Sequence, residues 1–480
     1  MKNDFKFLLK DGLKEFQNGN FKKSESIFLN LLKKNPKNLE LYTYLIPSLI
    51  NQNKLSEAEK YSKDLFVHAP HLKEASLIYL GVISQKLMKY KESCDFFHQT
   101  LNINPKNYHA LLNLGVAYHK LNNNLKAIEF TRKSIIINKY NSIAYQNIAS
   151  YLEDENRLEE AMNYLKEAIN INKKDYDAVH ALSLLQLLTL DYANGLKNFE
   201  KRFLTSHQQD KYSHIPRLNT EINIKDKRIL IWHEQGLGDT IQFSIFVNQI
   251  LSLGGIVTFV VQRPLQKFLS MQFNCEVTCQ PKHTEFDYQI PLMSLMSYFK
   301  VNNKNIITKS YNFCSDNQKI LFWKERLGLS KKKLNIGISI SGSKKHKKEY
   351  RRRIDLNKFI ELTDHFKIFL IQKDITPQEK LIVNNNNEIT FLGDSSDWED
   401  FTDTSAIVSN MEFVVSIDTS LIHLAGAMNK KSYLLLSRPP DWRWGYDSNH
   451  EINWYDSVNI IRQKTVGDWN DVLERLKSLL

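Results

Sequence analysis

Helical units end at Pro36, Pro70, Pro105, Lys139 and Lys173, so the steps are 34, 35, 34 and 34 residues. A fixed period of this length means stacked units, none of which buries its apolar face alone. Near residue 221 the period gives way to short apolar runs alternating with helical patterns, the mark of a parallel sheet covered by helices. The 480 residues exceed one ordinary core. The expected fold class is therefore α plus α/β, a helical solenoid followed by Rossmann-like sheets.

The fourth unit, starting at Tyr108, carries the pattern most fully. Leu111, Leu114, Gly115 and Tyr118 fall on the packing face of a first helix, and Ala127 falls where a second helix crosses it closely. The small residue recurs as Ser24, Ala58, Ser93, Ala161 and Gly195, while Gly81 and Gly115 share the tight site of the first helix. In period and register this segment resembles tetratricopeptide repeats. Five full repeats and a partial sixth are expected in a solenoid domain of residues 1–205, with a linker at 206–220.

Composition narrows the class. Hydrophobic residues at 42% and charged residues at 25% describe a globular chain, and no apolar run approaches the ~18 residues of a membrane-spanning helix. The start, MKNDFKFLLKDGLKEF, sets Lys and Asp inside what would have to be the apolar core of a signal peptide, so it reads as the first repeat helix and the cytoplasm is the expected compartment. Cys94, Cys275, Cys279 and Cys314 are too scattered for a disulfide framework or a zinc site, and no metal is expected.

The net charge of +12 is uneven. Half of it lies in KKHKKEYRRR, residues 344–353, and the rest is spread thinly over the chain. A general nucleic-acid-binding protein is thereby disfavoured. The cluster follows LNIGISISGS, an apolar run ending in Ser341, Gly342 and Ser343. In a doubly wound sheet that position lies at a strand's carboxyl end, where small residues and basic side chains meet phosphates. Phosphate binding by this loop, with Arg352, Lys345 and His346 as candidates, stands beside the plainer reading of a solvated charge run.

Strands are expected at Arg228–Trp232, Ile256–Val261, Glu276–Cys279 and Phe286–Ile290 in one lobe (221–315). A second lobe (316–480) holds Leu334–Ile340, Lys367–Ile371, Ile389–Leu392, Phe413–Ile417, Ser432–Leu436 and Asn459–Arg462, closed by an amphipathic helix over Asp468–Leu480. Two turns at strand ends are acidic. In WHEQGLGDT the glycines Gly236 and Gly238 lead to Asp239, either a helix cap or a general base. The third glycine of a dinucleotide fingerprint is absent. In FVVSIDTSLIHLAGA the strand ends before Asp418, Thr419 and Ser420, with His423 one helical turn on. These residues read either as a capped helix with a packed histidine or as donors and acceptors for phosphate or sugar.

The pair GLGDT and SIDTSLIHLAGA, about 180 residues apart with FDYQIPLMSL and PPDWRWGYD between and after them, resembles the heptosyltransferase-type family of glycosyltransferases, in its branch with N-terminal tetratricopeptide repeats. The resemblance covers about residues 221–480. It implies a two-lobed GT-B fold and metal-independent, inverting transfer from a nucleotide-sugar, which is substrate rather than cofactor, to a protein or glycan acceptor. It implies Asp239 as base, and Asp418, Thr419, Ser420 and His423 as donor-binding, with Ser341, Gly342 and Arg352 at the family's Ser-Gly turn. Where the family commonly has glycine after the Asp-Thr pair, this chain has Ser420. The repeats' concave face would hold the acceptor or a protein partner. The alternative is a catalytically inactive scaffold, and an adaptor using residues 344–353 ranks last.

Overall fold

Five helical hairpins follow one another through the first part of the chain: α1 (Lys2–Gln17) with α2 (Phe21–Lys34), α3 (Tyr42–Asn51) with α4 (Leu55–His68), α5 (Lys73–Lys86) with α6 (Tyr90–Ile103), α7 (Tyr108–Lys120) with α8 (Asn124–Ile137), and α9 (Ser142–Asp154) with α10 (Leu158–Ile171). The computed structural model describes residues 2–205, 207–281, 285–302, 312–343, 349–447 and 454–480. It divides into two compact units, Met1–Ala178 and Val179–Leu480.

The hairpin register is physical. Ser24, Ala58, Ser93, Ala127 and Ala161 are all fully buried. The Ser24 and Ser93 hydroxyls donate to the carbonyls of Gly12 and Gly81 at 3.0 and 2.9 Å, so a small polar residue ties the second helix to the first. A Cβ at Gly81 would stand 2.5 Å from the Phe97 ring, and one at Gly115 would stand 2.1 Å from the Thr131 hydroxyl, which is why the first helix needs glycine there. Each hairpin turn places one residue in the left-handed region: Gly19, Asn53, Met88, Asn122 and Asn156, with φ of 77, 61, 62, 58 and 60°. Two rows of first-helix side chains stay half-buried at constant register. One is Leu13, Pro47, Val82 and Val116; the other is Leu9, Thr43, Ile78 and Leu112.

The second unit begins within α11 (Tyr176–Leu188) and continues through α12 (Tyr192–Phe199) and a short 3-10 turn, Glu200–Leu204. The stretch after α12 pairs with β4 through backbone groups. The Leu218 N–H donates to the Gln289 carbonyl and the Gln289 N–H to the Pro216 carbonyl, both at 2.9 Å, while Ile215 and Leu218 are buried.

The first sheet comprises β1 (Arg228–Trp232), β2 (Ile256–Val260), β3 (Glu276–Thr278) and β4 (Tyr288–Pro291), all parallel in the order β3-β2-β1-β4. Its helices are α13 (Leu237–Phe243), α14 (Ile245–Ser252), α15 (Arg263–Ser270) and α16 (Leu295–Tyr298). The second sheet comprises β5 (Leu334–Ser339), β6 (Phe366–Leu370), β7 (Ile389–Phe391), β8 (Phe413–Ile417), β9 (Ser432–Leu436) and β10 (Val458–Arg462), ordered β10-β9-β8-β5-β6-β7 and again all parallel. Around it lie α17 (Asn317–Arg326), α18 (Glu349–Arg352), α19 (Pro377–Asn385), α20 (Phe401–Ser409), α21 (Ser420–Ala427) and α22 (Asn470–Leu479). Ile336, Ile338, Val415, Ile417, Leu435 and Leu473 share its core. The chain leaves β5 toward β7 on one side and crosses to β8 and β10 on the other. The topological switch, where a crevice opens at strand carboxyl ends, therefore lies between β5 and β8. No described helix is long and apolar enough to cross a membrane.

Candidate functional site

The turns after β1, β5 and β8 carry the residues singled out from the sequence, and the second unit brings them together. After β1 the Gly236 N–H donates to Asp239 Oδ2 at 2.8 Å, so Asp239 closes the first turn of α13 from its third position. Its Oδ1 accepts a hydrogen bond from Arg443 Nη2. The Arg443 Nη1 donates to Asp441 Oδ1 at 2.6 Å. Burial opposes the Arg443 charge, but Asp239 and then Asp441 outweigh it and raise the guanidinium above its ordinary range.

Gly238 answers to packing. A Cβ there would stand 2.8 Å from His423 Cδ2 and 3.4 Å from Ser420 Cα, so its absence lets α13 lie against α21. Thr419 caps α21, accepting from the Leu421 N–H at 3.3 Å, and its hydroxyl meets that of Ser416 at 3.0 Å. Ser420 is the first residue of α21. His423, buried within α21, stacks on the Trp444 indole at 5.3 Å between centroids and meets the Tyr455 hydroxyl through Nδ1 at 3.1 Å. Its Nε2 lies 3.6 Å from Asp418 Oδ1. Burial pushes the Asp418 carboxyl upward. His423, followed by the Arg352 charge, overcomes this and holds the group below the usual carboxylate range.

The turn after β5 adjoins the same place, since a Cβ on Gly342 would lie 3.5 Å from Thr419 Cγ2. The Ser341 hydroxyl is turned inward and accepts from Gln372 Nε2 at 3.0 Å. The Gly342 N–H donates to Glu349 Oε1 at 2.6 Å. Arg352 donates to Glu349 Oε2 at 2.8 Å and to the Asp418 carbonyl at 2.6 Å, while its Nε is buried with no hydrogen-bond partner among the described residues. Lys345 and His346, with the rest of 344–348, lie outside the described residues.

Four participants were not singled out as site residues from the sequence. Glu349 is the single acid of KKHKKEYRRR, and Arg443 sits between two tryptophans in PPDWRWGYD; neither stretch carries a local signal for the partner it meets. Tyr455 has no local pattern that points to His423. Glu234, in the loop between β1 and α13, anchors that loop to the segment after α12. The fully buried Arg202 donates to both Glu234 oxygens at 2.6 and 2.7 Å and to Ser294 Oγ at 2.7 Å, with its guanidinium 4.3 Å from the ring centroids of Phe199 and Phe203.

Chemically, the arrangement offers a guanidinium with an unused donor, a histidine edge held by Tyr455 and Trp444, the Asp418 carboxylate kept charged by His423 and Arg352, and the Asp239 carboxylate bonded to Arg443. Such a set can take an anion and hold a hydroxyl.

Residues 108–141 and 143–175 match the model of the tetratricopeptide repeat. The chain has no match among curated proteins. Among solved structures it is similar to a thermophilic tetratricopeptide repeat protein of Thermus thermophilus, at 18% identity over 38% of this chain and 100% of that one, with a TM-score of 0.36. It is also similar to pilF of Pseudomonas aeruginosa, at 14% identity over 41% of this chain and 89% of that one (TM-score 0.36). A tetratricopeptide repeat protein from Parabacteroides merdae gives 19% identity over 42% of this chain and 79% of that one (TM-score 0.34). The N-terminal region of this chain carries tetratricopeptide repeats, followed by an α/β region of parallel sheets.

Proposed function

We propose that this chain is a protein-interaction scaffold whose repeats hold a protein partner. The observation that carries this reading is the pair of half-buried rows on the first helices, Leu13, Pro47, Val82 and Val116 beside Leu9, Thr43, Ile78 and Leu112. Leu9, Leu13 and Val82 also pack against the hairpin core, and the part of these mostly apolar rows left exposed repeats at fixed register through four units, which suits an extended polypeptide because each unit can supply the same kind of contact to successive side chains. In this reading the α/β unit needs no turnover, and the engagement of Asp239 by both Gly236 and Arg443 is that of a structural cap. The test is quantitative capture of partners by the whole chain and by a Val82→Lys/Val116→Lys variant, with Ile136→Lys on α8 as the control. Loss in the double variant alone, with melting unchanged, supports the scaffold; equal capture by all three sinks it.

A second reading is favoured by one specific feature, the convergence of Asp418, His423 and Arg352 at the switch point opposite Asp239. In it the α/β unit is a heptosyltransferase-like GT-B enzyme that moves a sugar from a nucleotide-sugar to a protein or glycan hydroxyl with inversion. Asp239 takes the hydroxyl proton, the oxygen bonds to the anomeric carbon, and the bond to the nucleoside diphosphate breaks with its electrons going to the leaving phosphate. Asp239 would first have to leave Arg443, which then faces the growing negative charge. Release of nucleoside diphosphate in the presence of captured partner, abolished in Asp239→Asn, supports transfer. Equal release by the variant removes Asp239 as base.

A further inference from the structure

The turn after β5 already holds an anion, and that anion is the protein's own. The Glu349 carboxylate spans the Gly342 N–H at 2.6 Å and Arg352 Nη2 at 2.8 Å, one oxygen to each. A backbone amide beside a guanidinium is the donor pair that a phosphate group would use, and a carboxylate presents two oxygens at nearly the same spacing. The place is crowded around this contact: a Cβ on Gly342 would stand 3.0 Å from both Glu349 Oε2 and Arg352 Nη2. Both side chains are largely withdrawn from solvent, at 14 and 15% exposure, so the pair is not a loose surface contact. Arg352 keeps a second, fixed hold on the Asp418 carbonyl and has its Nε buried without a partner among the described residues, so one donor remains for an incoming acceptor once Glu349 moves.

We propose that Glu349 is an internal occupant of a diphosphate site formed by the Gly342 amide and Arg352, and that it sets the site's affinity by competing with the incoming anion. This rests on the donor-site reading above. When the ligand binds, the Glu349 carboxylate leaves Gly342 and Arg352 for solvent, and two phosphate oxygens accept in its place. The competition is electrostatic as well as steric, because Glu349 and the Asp418 carboxyl both lie beside Arg352, and removing one of the two leaves its charge less satisfied.

The test is calorimetric titration of the whole chain with inorganic pyrophosphate, comparing the parent with Glu349→Ala, Glu349→Gln and Arg352→Ala, each checked for an unchanged melting transition. Binding at least tenfold tighter in Glu349→Ala, with a smaller gain in Glu349→Gln, is the expected result, together with loss of binding in Arg352→Ala. If Glu349→Ala does not fold, the Glu349→Gln gain decides. Parent and both Glu349 variants binding equally, with Arg352→Ala silent, overturns the competition and leaves the anion site standing. No binding by the parent or any Glu349 variant overturns the anion site and the competition together.

Discussion

Arg443 reaches Asp239 across 204 residues of sequence and supplies the cation to a carboxylate whose other oxygen caps α13. The same guanidinium holds Asp441 and lies within the field of Asp418. One arginine therefore balances three acids, and its loss is not equivalent to the loss of any one of them.

Arg443→Met should destabilise the chain by about 2 kcal/mol, because Asp239, with 18% of its side chain exposed, and Asp441, with 33%, both lose their cation and are only partly relieved by solvent. Asp239→Asn should cost only about 1 kcal/mol, since Arg443 keeps Asp441 and the amide oxygen can still accept from Gly236. Urea unfolding of the two variants checks the order; equal losses would mean that Arg443 serves Asp239 alone.

Met88 occupies the left-handed turn position that Asn53, Asn122 and Asn156 occupy in neighbouring hairpins, and its side chain is 74% exposed. Met88→Asn removes a backbone penalty without removing packing and should stabilise the solenoid by about 1 kcal/mol. A higher melting temperature is expected, and a lower one would show that Met88 has a contact worth more than the strain.

Arg202→Met leaves the Glu234 carboxylate, 1% exposed, buried without its cation, at an expected cost of about 3–5 kcal/mol. Adding Glu234→Met should recover much of that loss. A double-mutant cycle in guanidinium chloride measures the recovery, and strictly additive losses would deny the coupling.

Burial, helped by the Lys211 charge, lowers the His233 pKa from 6.5 to about 4. The unfolded chain takes up this proton below about pH 6.5 while the folded chain resists it, so the stability tied to neutral His233 is full above pH 6.5 and declines toward pH 4. His233→Gln cannot titrate there. The melting temperature of the parent should therefore fall more steeply than that of the variant between pH 7 and pH 4, and parallel curves would refute the assignment.

Much of the fold was legible because it is written locally. The apolar runs at Arg228–Trp232, Phe413–Ile417 and Ser432–Leu436 became β1, β8 and β9 with the same bounds, and the small residues from Ser24 to Ala161 are the buried crossings of the hairpins. Thr419 as a cap followed from its place between a strand and a helical pattern. What was not legible is long-range. No periodicity links Arg202 to Glu234 or Arg443 to Asp239, and ion pairs between distant loops leave no repeating signature. The segment after α12 has no apolar periodicity of its own. Its pairing beside β4 uses backbone groups, to which composition is blind.

The most direct test of the scaffold is site-specific photo-crosslinking from the repeat helices in the whole chain. A photoreactive residue placed in turn at Val82 and Leu112, in the half-buried rows, and at Ile136, which is 82% exposed on α8, compares the proposed surface with an equally helical one. The scaffold predicts adducts to the same protein from Val82 and Leu112 and none from Ile136. No adduct from the rows, or the same adduct from Ile136, would contradict it.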